Sequence, residues 1–126
     1  MDNLRVFVFG PAFGLPTSGP FALKLEFWLR THAIPYERVY ENNPQKGPKG
    51  KNPWIELDGE LMGDTKLIIE RLAAEHDIDL DAGLTLRDIA TGTAVSRMVE
   101  EHLHQVLEYE LFIDDNGWAY MNEAFS

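Results

Sequence analysis

The sequence contains no cysteine, and this absence removes several kinds of chemistry at once. Disulfide bridges, cysteine-ligated zinc and a cysteine nucleophile are all excluded. Long hydrophobic runs are missing too, since no stretch approaches the roughly 20 apolar residues that a membrane-spanning helix needs. The first residues, Met1–Arg5, do not have the pattern of a signal peptide. We therefore expect a cytoplasmic protein without membrane insertion.

Positive charge is also scarce. The chain has 11 Lys and Arg against 21 Asp and Glu, a formal net charge of −10, and no Lys or Arg follows Arg97. Binding to nucleic acids or to anionic membranes requires clustered basic residues, so we expect neither kind of partner. The acidic region after Arg97 is interpreted as a solvated helix face, with a docking face for a cationic partner as the alternative.

The residues that are present suit a folded domain. Hydrophobic residues make up 44% of the 126 positions and aromatic residues 11%, enough for one domain, or for one small domain and part of another. Hydrophobic periodicity and turn residues predict strands at 4–10, 36–40, 53–57 and 60–62 and helices at 21–31 and 65–75. This order predicts an α/β fold with a mixed four-stranded sheet, which begins as a parallel βαβ unit and ends in a hairpin.

A second region follows this α/β part. Residues 77–85 are predicted to be a linker, residues 86–112 a long helix, and 118–125 the start of another helix. One helix cannot cover its own apolar stripe, and a large uncovered stripe is unusual on a soluble monomer. We therefore expect that the helix packs on the first domain, that the helical domain is incomplete, or that a partner covers the stripe. We also expect self-association into a homo-oligomer through the long helix.

Three places are candidates for a functional site. The loop before the first helix carries Thr17 and Ser18, where a helix N-terminus and hydroxyl donors stabilise an anion. The alternative is that one of them only caps the helix. Asn52 precedes Pro53 at the start of a strand, where a cis peptide bond would expose the backbone groups of Asn52 to an extended peptide. The alternative is an ordinary trans proline.

The third place is the start of the second helix. The backbone N–H groups of Asp64 and Thr65, with the Thr65 hydroxyl, suit a carboxylate, and the Asp64 carboxylate suits an ammonium group. Simple capping by Asp64 is the alternative. No metal site is predicted, because His102 and His104 are two residues apart and point to different sides of a helix.

The order of these features resembles a known family. The segments that carry the resemblance are PFALKLEFWLRTHAIPYERVY, GPKGKNPWIELDGELMGDTKLIIERL, DLDAGL and RMVEEHLHQVLEYELFIDD. Together they resemble the glutathione transferase superfamily, and most closely its failed-axon-connections-like and metaxin-like branch with its bacterial relatives. The resemblance implies a thioredoxin-like, glutathione-binding domain at 1–76, and an all-helical domain of which residues 86–126 hold the start.

The resemblance also implies roles for particular residues. Pro53 is the expected cis-proline, and the backbone of Asn52 pairs with the cysteinyl part of glutathione. Asp64 and Thr65 hold the γ-glutamyl end, and Lys51 is a secondary candidate for a glutathione carboxylate.

The chain departs from the family at one position. The catalytic Ser or Cys of the family directly precedes the Pro-Phe that opens the first helix, and here Gly19 takes that place. Ser18 and Thr17 are therefore only weak catalytic candidates. The first hypothesis is an enzyme that conjugates glutathione, as co-substrate, to a small electrophile. The alternative is a non-catalytic thioredoxin-fold binding or interaction module, which Gly19 favours.

Overall fold

The computed structural model describes residues 3–125 and divides into two compact units, one up to Leu80 and the other from Asp81 onward. The strands of the first unit are β1 (Leu4–Val8), β2 (Glu37–Tyr40), β3 (Trp54–Leu57) and β4 (Glu60–Gly63), and its helices are α1 (Pro20–Thr31) and α2 (Thr65–Glu75). The sheet order is β2-β1-β3-β4, with β1 and β2 parallel and the other pairs antiparallel. This arrangement confirms the predicted thioredoxin-like α/β class.

The core lies on one face of the sheet. Alternate residues of β1 and β3 point to this face, because side chains on a strand have a period of two. They form one buried cluster with the inward stripes of both helices; its main members are Leu4, Val6, Val8, Leu25, Leu29, Ile55, Leu57, Ile68 and Leu72. Burial of each such side chain contributes about 2 kcal/mol of hydrophobic free energy, which opposes the conformational entropy lost on folding.

The other face of the sheet is covered by a loop. Phe7 and Trp54 stack there with ring centroids 4.9 Å apart, and Trp54 is buried. A Cβ atom added to Gly47 would come within 2.7 Å of the Trp54 ring. Segment 41–51 therefore lies directly on the sheet and contains only a 3-10 turn, Pro44–Lys46. The segment is polar and rich in Gly and Pro, which explains why it forms no longer helix.

Element boundaries differ slightly from the predictions. The first strand ends at Val8 rather than Gly10, where its pairing with Tyr40 ends. The third strand begins at Trp54 rather than at Pro53, since proline has no N–H to donate to the ladder. The second helix has the predicted bounds because Asp64 caps it.

The second unit is helical. Helix α3 (Leu86–Arg97) begins with a capping box between Thr85 and Asp88. The backbone stays helical to Ile113, with wider π-type turns at Met98–Leu103 and Tyr109–Ile113 around α4 (His104–Glu108). The predicted long helix is thus a continuous helical segment with two irregular stretches.

A last helix, α5 (Asp115–Phe125), starts three residues before the predicted position. Asp114 has extended backbone, and its carboxylate accepts hydrogen bonds from Asn116 and Gly117. Over the described residues 3–125, no helix combines the length and apolar character that a membrane span requires.

Candidate functional site

One edge of the sheet brings the candidate residues together. In the sheet register Phe7, Trp54 and Gly63 lie side by side, so β1 and β4 end where β3 begins. The N-termini of α1 and α2 follow at the same edge. The predicted site residues of the first unit therefore share this edge: Thr17, Ser18, Lys51, Asn52, Pro53, Asp64 and Thr65.

The loop that leads into α1 is held by hydrogen bonds to the end of β2. Asn42 Oδ1 accepts from the Gly10 N–H at 2.9 Å, and the Tyr40 hydroxyl donates to the Pro16 carbonyl at 2.9 Å. The Ser18 N–H donates to the Gly10 carbonyl at 3.0 Å. The position of Ser18 is therefore fixed by backbone contacts.

The two candidate hydroxyl residues have different surroundings. Thr17 is completely buried, and its Oγ1 accepts a hydrogen bond of 3.3 Å from the Gly19 N–H. Ser18 remains partly exposed. Neither side chain caps α1, whose N-cap is Gly19. The hydroxyl of Thr17 thus supports the loop, and that of Ser18 is the one with access to solvent.

The start of α1 is electrostatically open. Its N-cap residue Gly19 has no side-chain oxygen, and Pro20 follows it. The first turn of the helix lies fully within the described residues and contains no acidic residue. The partial positive charge of a helix N-terminus is therefore not offset by a carboxylate here. An anion placed beside Gly19 would be stabilised by this charge.

Phe9 covers the position where the family has its catalytic side chain. A Cβ atom on Gly19 would lie 3.1 Å from Phe9 Cδ2 and 3.5 Å from the Ala22 Cβ. The Phe9 ring consequently occupies part of the space that a serine or cysteine would use. The sequence did not single out Phe9, because it lies inside the strand predicted at 4–10; in the structure β1 ends one residue earlier, at Val8.

The Asn52–Pro53 peptide bond is cis, as predicted from the resemblance, and Pro53 is buried. The Asn52 side chain donates from Nδ2 to the Glu41 carbonyl at 3.1 Å. Its Oδ1 is buried and has no hydrogen-bond partner among residues 3–125. Lys51 is exposed beside it.

Asp64 caps α2, so the simpler of its two predicted roles is present. Its Oδ1 accepts hydrogen bonds from the N–H groups of Lys66 at 3.0 Å and Leu67 at 3.5 Å. Its φ is +72°, which is uncommon for a residue other than glycine. Asp64 is exposed and Thr65 is buried. Both capping hydrogen bonds use Oδ1. Within residues 3–125, Asp64 Oδ2 accepts no hydrogen bond.

Two further features of this edge were not predicted. The aliphatic part of Lys49 lies against Gly63, with its Cγ and Cδ 3.4 Å from the position of an added Cβ. Lys46 pairs with Glu41, and this hydrogen bond lowers the pKa of the Glu41 carboxyl group. Segment 41–51 therefore places lysines near the site, one of them already paired.

The tip of the loop before α1 is apolar and exposed. Phe13 and Gly14 both have positive φ, 56° and 74°, and form a tight turn closed by a bridge between Ala12 and Leu15. The side chains of Phe13 and Leu15 face solvent, at 61% and 43% exposure. This turn supplies an apolar surface on the loop that also carries Ser18.

Within the described residues 3–125, no group of three or more His, Asp or Glu side chains is arranged to hold a metal ion. His104 instead pairs with Glu108, with Nε2 and Oε1 3.1 Å apart.

Comparison with curated proteins identifies relatives in animals and bacteria. The chain is 34% identical over 108 residues to Failed axon connections from Drosophila melanogaster, covering 86% of this chain and 26% of that protein. It is 32% identical over 120 residues to "Isoprene-epoxide--glutathione S-transferase" from Rhodococcus sp. strain AD45, covering 91% and 50% respectively. The chain thus spans about a quarter and about half of the length of these two relatives.

Solved structures show the same fold at low identity. A glutathione transferase homologue from Sulfitobacter, solved with bound glutathione, has a TM-score of 0.66 at 12% identity and covers 94% of this chain and 61% of that one. The beta-etherase LigF from Sphingobium sp. strain SYK-6 has a TM-score of 0.64 at 17% identity, covering 97% and 57%.

A family model describes the same relationship along the sequence. The model of the glutathione S-transferase N-terminal domain matches residues 20–117. This range includes α1, the Asn52–Pro53 bond and the start of α2. Failed axon connections and the Rhodococcus transferase also agree with the predicted resemblance to the failed-axon-connections-like branch and its bacterial relatives. The chain therefore belongs to the glutathione S-transferase family.

Proposed function

We propose that the first unit binds glutathione along the edge formed by Asn52–Pro53 and Asp64–Thr65. The observation that carries this proposal is the convergence of the start of β3, the start of α2 and the open N-terminus of α1 at one edge. Membership of the family and the glutathione-bound Sulfitobacter homologue support the choice of ligand.

Each part of glutathione has a chemically matched group at this edge. The γ-glutamyl ammonium would pair with Asp64 Oδ2, and the γ-glutamyl carboxylate with the backbone N–H and hydroxyl of Thr65. The backbone of Asn52 would pair with the cysteinyl residue as in an added strand. Lys51 would attract the glycyl carboxylate.

The thiol of the bound peptide would lie at the N-terminus of α1. The positive end of the helix favours the thiolate over the thiol, and Ser18 is the accessible hydroxyl donor there. Thr17 acts indirectly, because its buried hydroxyl holds the Gly19 N–H. The thiolate attacks a small electrophile, for example an epoxide, whose carbon–oxygen bond breaks as the carbon–sulfur bond forms. The oxygen stays on the product as an alkoxide and takes a proton from solvent. Phe9, Phe13 and Leu15 would offer the apolar contacts for this electrophile.

Substitution of Asp64 tests the proposed binding mode. Asp64→Asn retains an oxygen for capping but removes the charge that holds an ammonium, so we expect affinity for reduced glutathione to fall about tenfold or more. Calorimetric titration measures this change. Asp58→Asn is the matched control, because Asp58 lies in the turn between β3 and β4, at the opposite edge of the sheet. Equal affinity in both variants would contradict the binding mode.

A second candidate function is a binding module that does no chemistry. The contact between Phe9 and Gly19 favours it, since the catalytic side chain of the family is absent and its space is partly filled. A conjugation assay with an epoxide separates the two functions once binding is measured. A rate that falls in Ser18→Ala supports the enzyme, and a rate equal to the reaction without protein supports the module.

The arrangement of the whole chain is part of the proposal. We assign residues 1–76 to the glutathione-binding domain, 77–85 to a linker and 86–126 to the start of a helical domain. The protein would be cytoplasmic and would self-associate through this helical region. Its exposed apolar side chains support self-association, among them Met98, Leu103 and Val106.

A further inference from the structure

A groove lies on the first unit away from the proposed glutathione site. It forms where α1 ends and β2 begins, and its volume is about 340 Å³. Because α1 runs antiparallel to β1, this position is at the opposite edge of the sheet from Asn52 and Asp64. The residues that line it are Arg30, Ile34, Pro35, Tyr36 and Arg38. The volume is at the lower end of the range for small-molecule sites.

The wall of the groove is built on a buried carboxylate. Glu26 is only 3% exposed, and its Oε1 accepts hydrogen bonds from the Tyr36 hydroxyl at 2.6 Å and Arg38 Nε at 2.7 Å. Burial raises the pKa of Tyr36, which keeps its phenol protonated. Buried polar groups with such contacts are held in one geometry. Glu26 therefore fixes Tyr36 and Arg38 in place before any ligand arrives.

Positive charge exceeds negative charge in this groove. The two guanidinium groups of Arg30 and Arg38 share one carboxylate, that of Glu26, which pairs directly with Arg38 and also attracts Arg30. Arg30 is exposed, and its Nε donates to the Tyr36 hydroxyl at 3.3 Å. Across residues 3–125, Arg30 takes part in no ion pair, so its terminal N–H groups have no carboxylate partner. A local charge of about +1 is unusual on a chain whose net charge is −10.

The lining suggests what kind of molecule fits. A planar guanidinium with two free N–H groups matches a carboxylate in a bidentate arrangement. Pro35 and the edge of Ile34 add an apolar surface beside it. We propose that this groove binds a small molecule in which a carboxylate is attached to a short apolar body. Arg30 contacts the carboxylate, Arg38 adds positive charge, and Pro35 packs on the apolar part.

Benzoate is the probe for this proposal. In a titration of the nitrogen-15-labelled chain, benzoate shifts the Nε–H signals of Arg30 and Arg38 and the amide signals of Ile34 and Tyr36. Its affinity exceeds that of acetate about fivefold, because acetate lacks the apolar body. Inorganic phosphate binds more weakly than benzoate for the same reason. Reduced glutathione does not compete, since its proposed site is at the other edge.

The variant Arg30→Gln weakens benzoate binding about tenfold, the loss expected for hydrogen bonds to a charged group. Arg87→Gln is the matched control, because it makes the same charge change at an exposed position of α3, and its affinity is unchanged. Arg30→Lys keeps the charge without the bidentate geometry and gives an intermediate affinity. Arg30 is exposed, so folding is retained, and the amide spectrum of each variant checks this.

Three results would overturn the proposal. One is a benzoate titration whose shifts fall outside the groove. Another is equal affinity in Arg30→Gln and Arg87→Gln, which would show that Arg30 does not contact the carboxylate. The third is equal binding of phosphate and benzoate, which would show a general anion patch without the apolar contact.

Discussion

Gly47 shows how a single residue links the loop that precedes the site to the sheet. Its hydrogen atom faces the Trp54 ring, and Trp54 in turn stacks on Phe7. Trp54 also follows Pro53 directly, so the packing of this ring determines where the Asn52–Pro53 segment lies. Gly19 is the other decisive glycine, because the Phe9 ring fills part of the space that a catalytic side chain would need.

The variant Gly47→Ala tests the first of these contacts. An added Cβ would lie 2.7 Å from the Trp54 ring and 3.0 Å from the Lys51 carbonyl, so either segment 41–51 or the ring must shift. Overpacking of this kind lowers the free energy of unfolding by about 1–3 kcal/mol. Urea unfolding followed by tryptophan fluorescence measures the change.

The control for Gly47→Ala is Gly10→Ala in the same unit. Its Cβ would meet only the Asn42 side chain, at an ordinary distance of 3.4 Å, so we expect a much smaller effect. If both variants unfold at the same urea concentration as the parent chain, the packing of the loop on Trp54 is not as tight as described.

At the level of elements, sequence patterns predicted the strands, the helices and their order well. The start of α2 followed from Asp64 as a cap. The hairpin of β3 and β4 turns at Asp58–Gly59, a dipeptide typical of hairpin turns. The contact of Gly47 with Trp54 and the groove beside Arg30 were not predictable in this way. Both depend on how the chain turns between elements, and hydrophobic periodicity describes only the residues within one element. The cis-proline came from the family resemblance and not from the local residues.

In the second unit, the packing of α5 against the segment Tyr109–Ile113 can be tested in the same way. Gly117 in α5 lies so close to the Tyr109–Ile113 segment that an added Cβ would overlap the Glu110 carbonyl oxygen. We expect Gly117→Ala to separate α5 from this segment and to lower helix content, measured by circular dichroism.

Gly92→Ala in α3 is the control for this variant. Among residues 3–125, and apart from the adjoining turns of its own helix, no heavy atom lies within 4 Å of its added Cβ. Alanine also favours a helix over glycine by up to about 1 kcal/mol. This variant should therefore keep or raise the helix content. Unchanged helix content in Gly117→Ala would contradict the described packing of α5.

Considered as a whole molecule, the chain combines a well-packed α/β unit with a helical unit rich in exposed apolar side chains. Every residue from Leu86 to Ile113 is exposed or half-buried. Exposed apolar area of this extent is a feature of interaction surfaces.

Self-association is the prediction that belongs to this scale. We expect the light-scattering mass to exceed that of one chain, 14.4 kDa, and to rise with concentration. Met98→Glu with Leu103→Glu should restore a single-chain mass, because added charge opposes burial of this surface. A single-chain mass for the parent chain at high concentration would contradict self-association.

The central claim is that the edge carrying Asn52, Asp64 and Thr65 binds glutathione. It is tested most directly by titrating reduced glutathione into the nitrogen-15-labelled chain and following the amide signals. We expect saturable shifts at Trp54 and Thr65, with little change at Arg30. Absence of any shift at Trp54 and Thr65 at millimolar glutathione would contradict it.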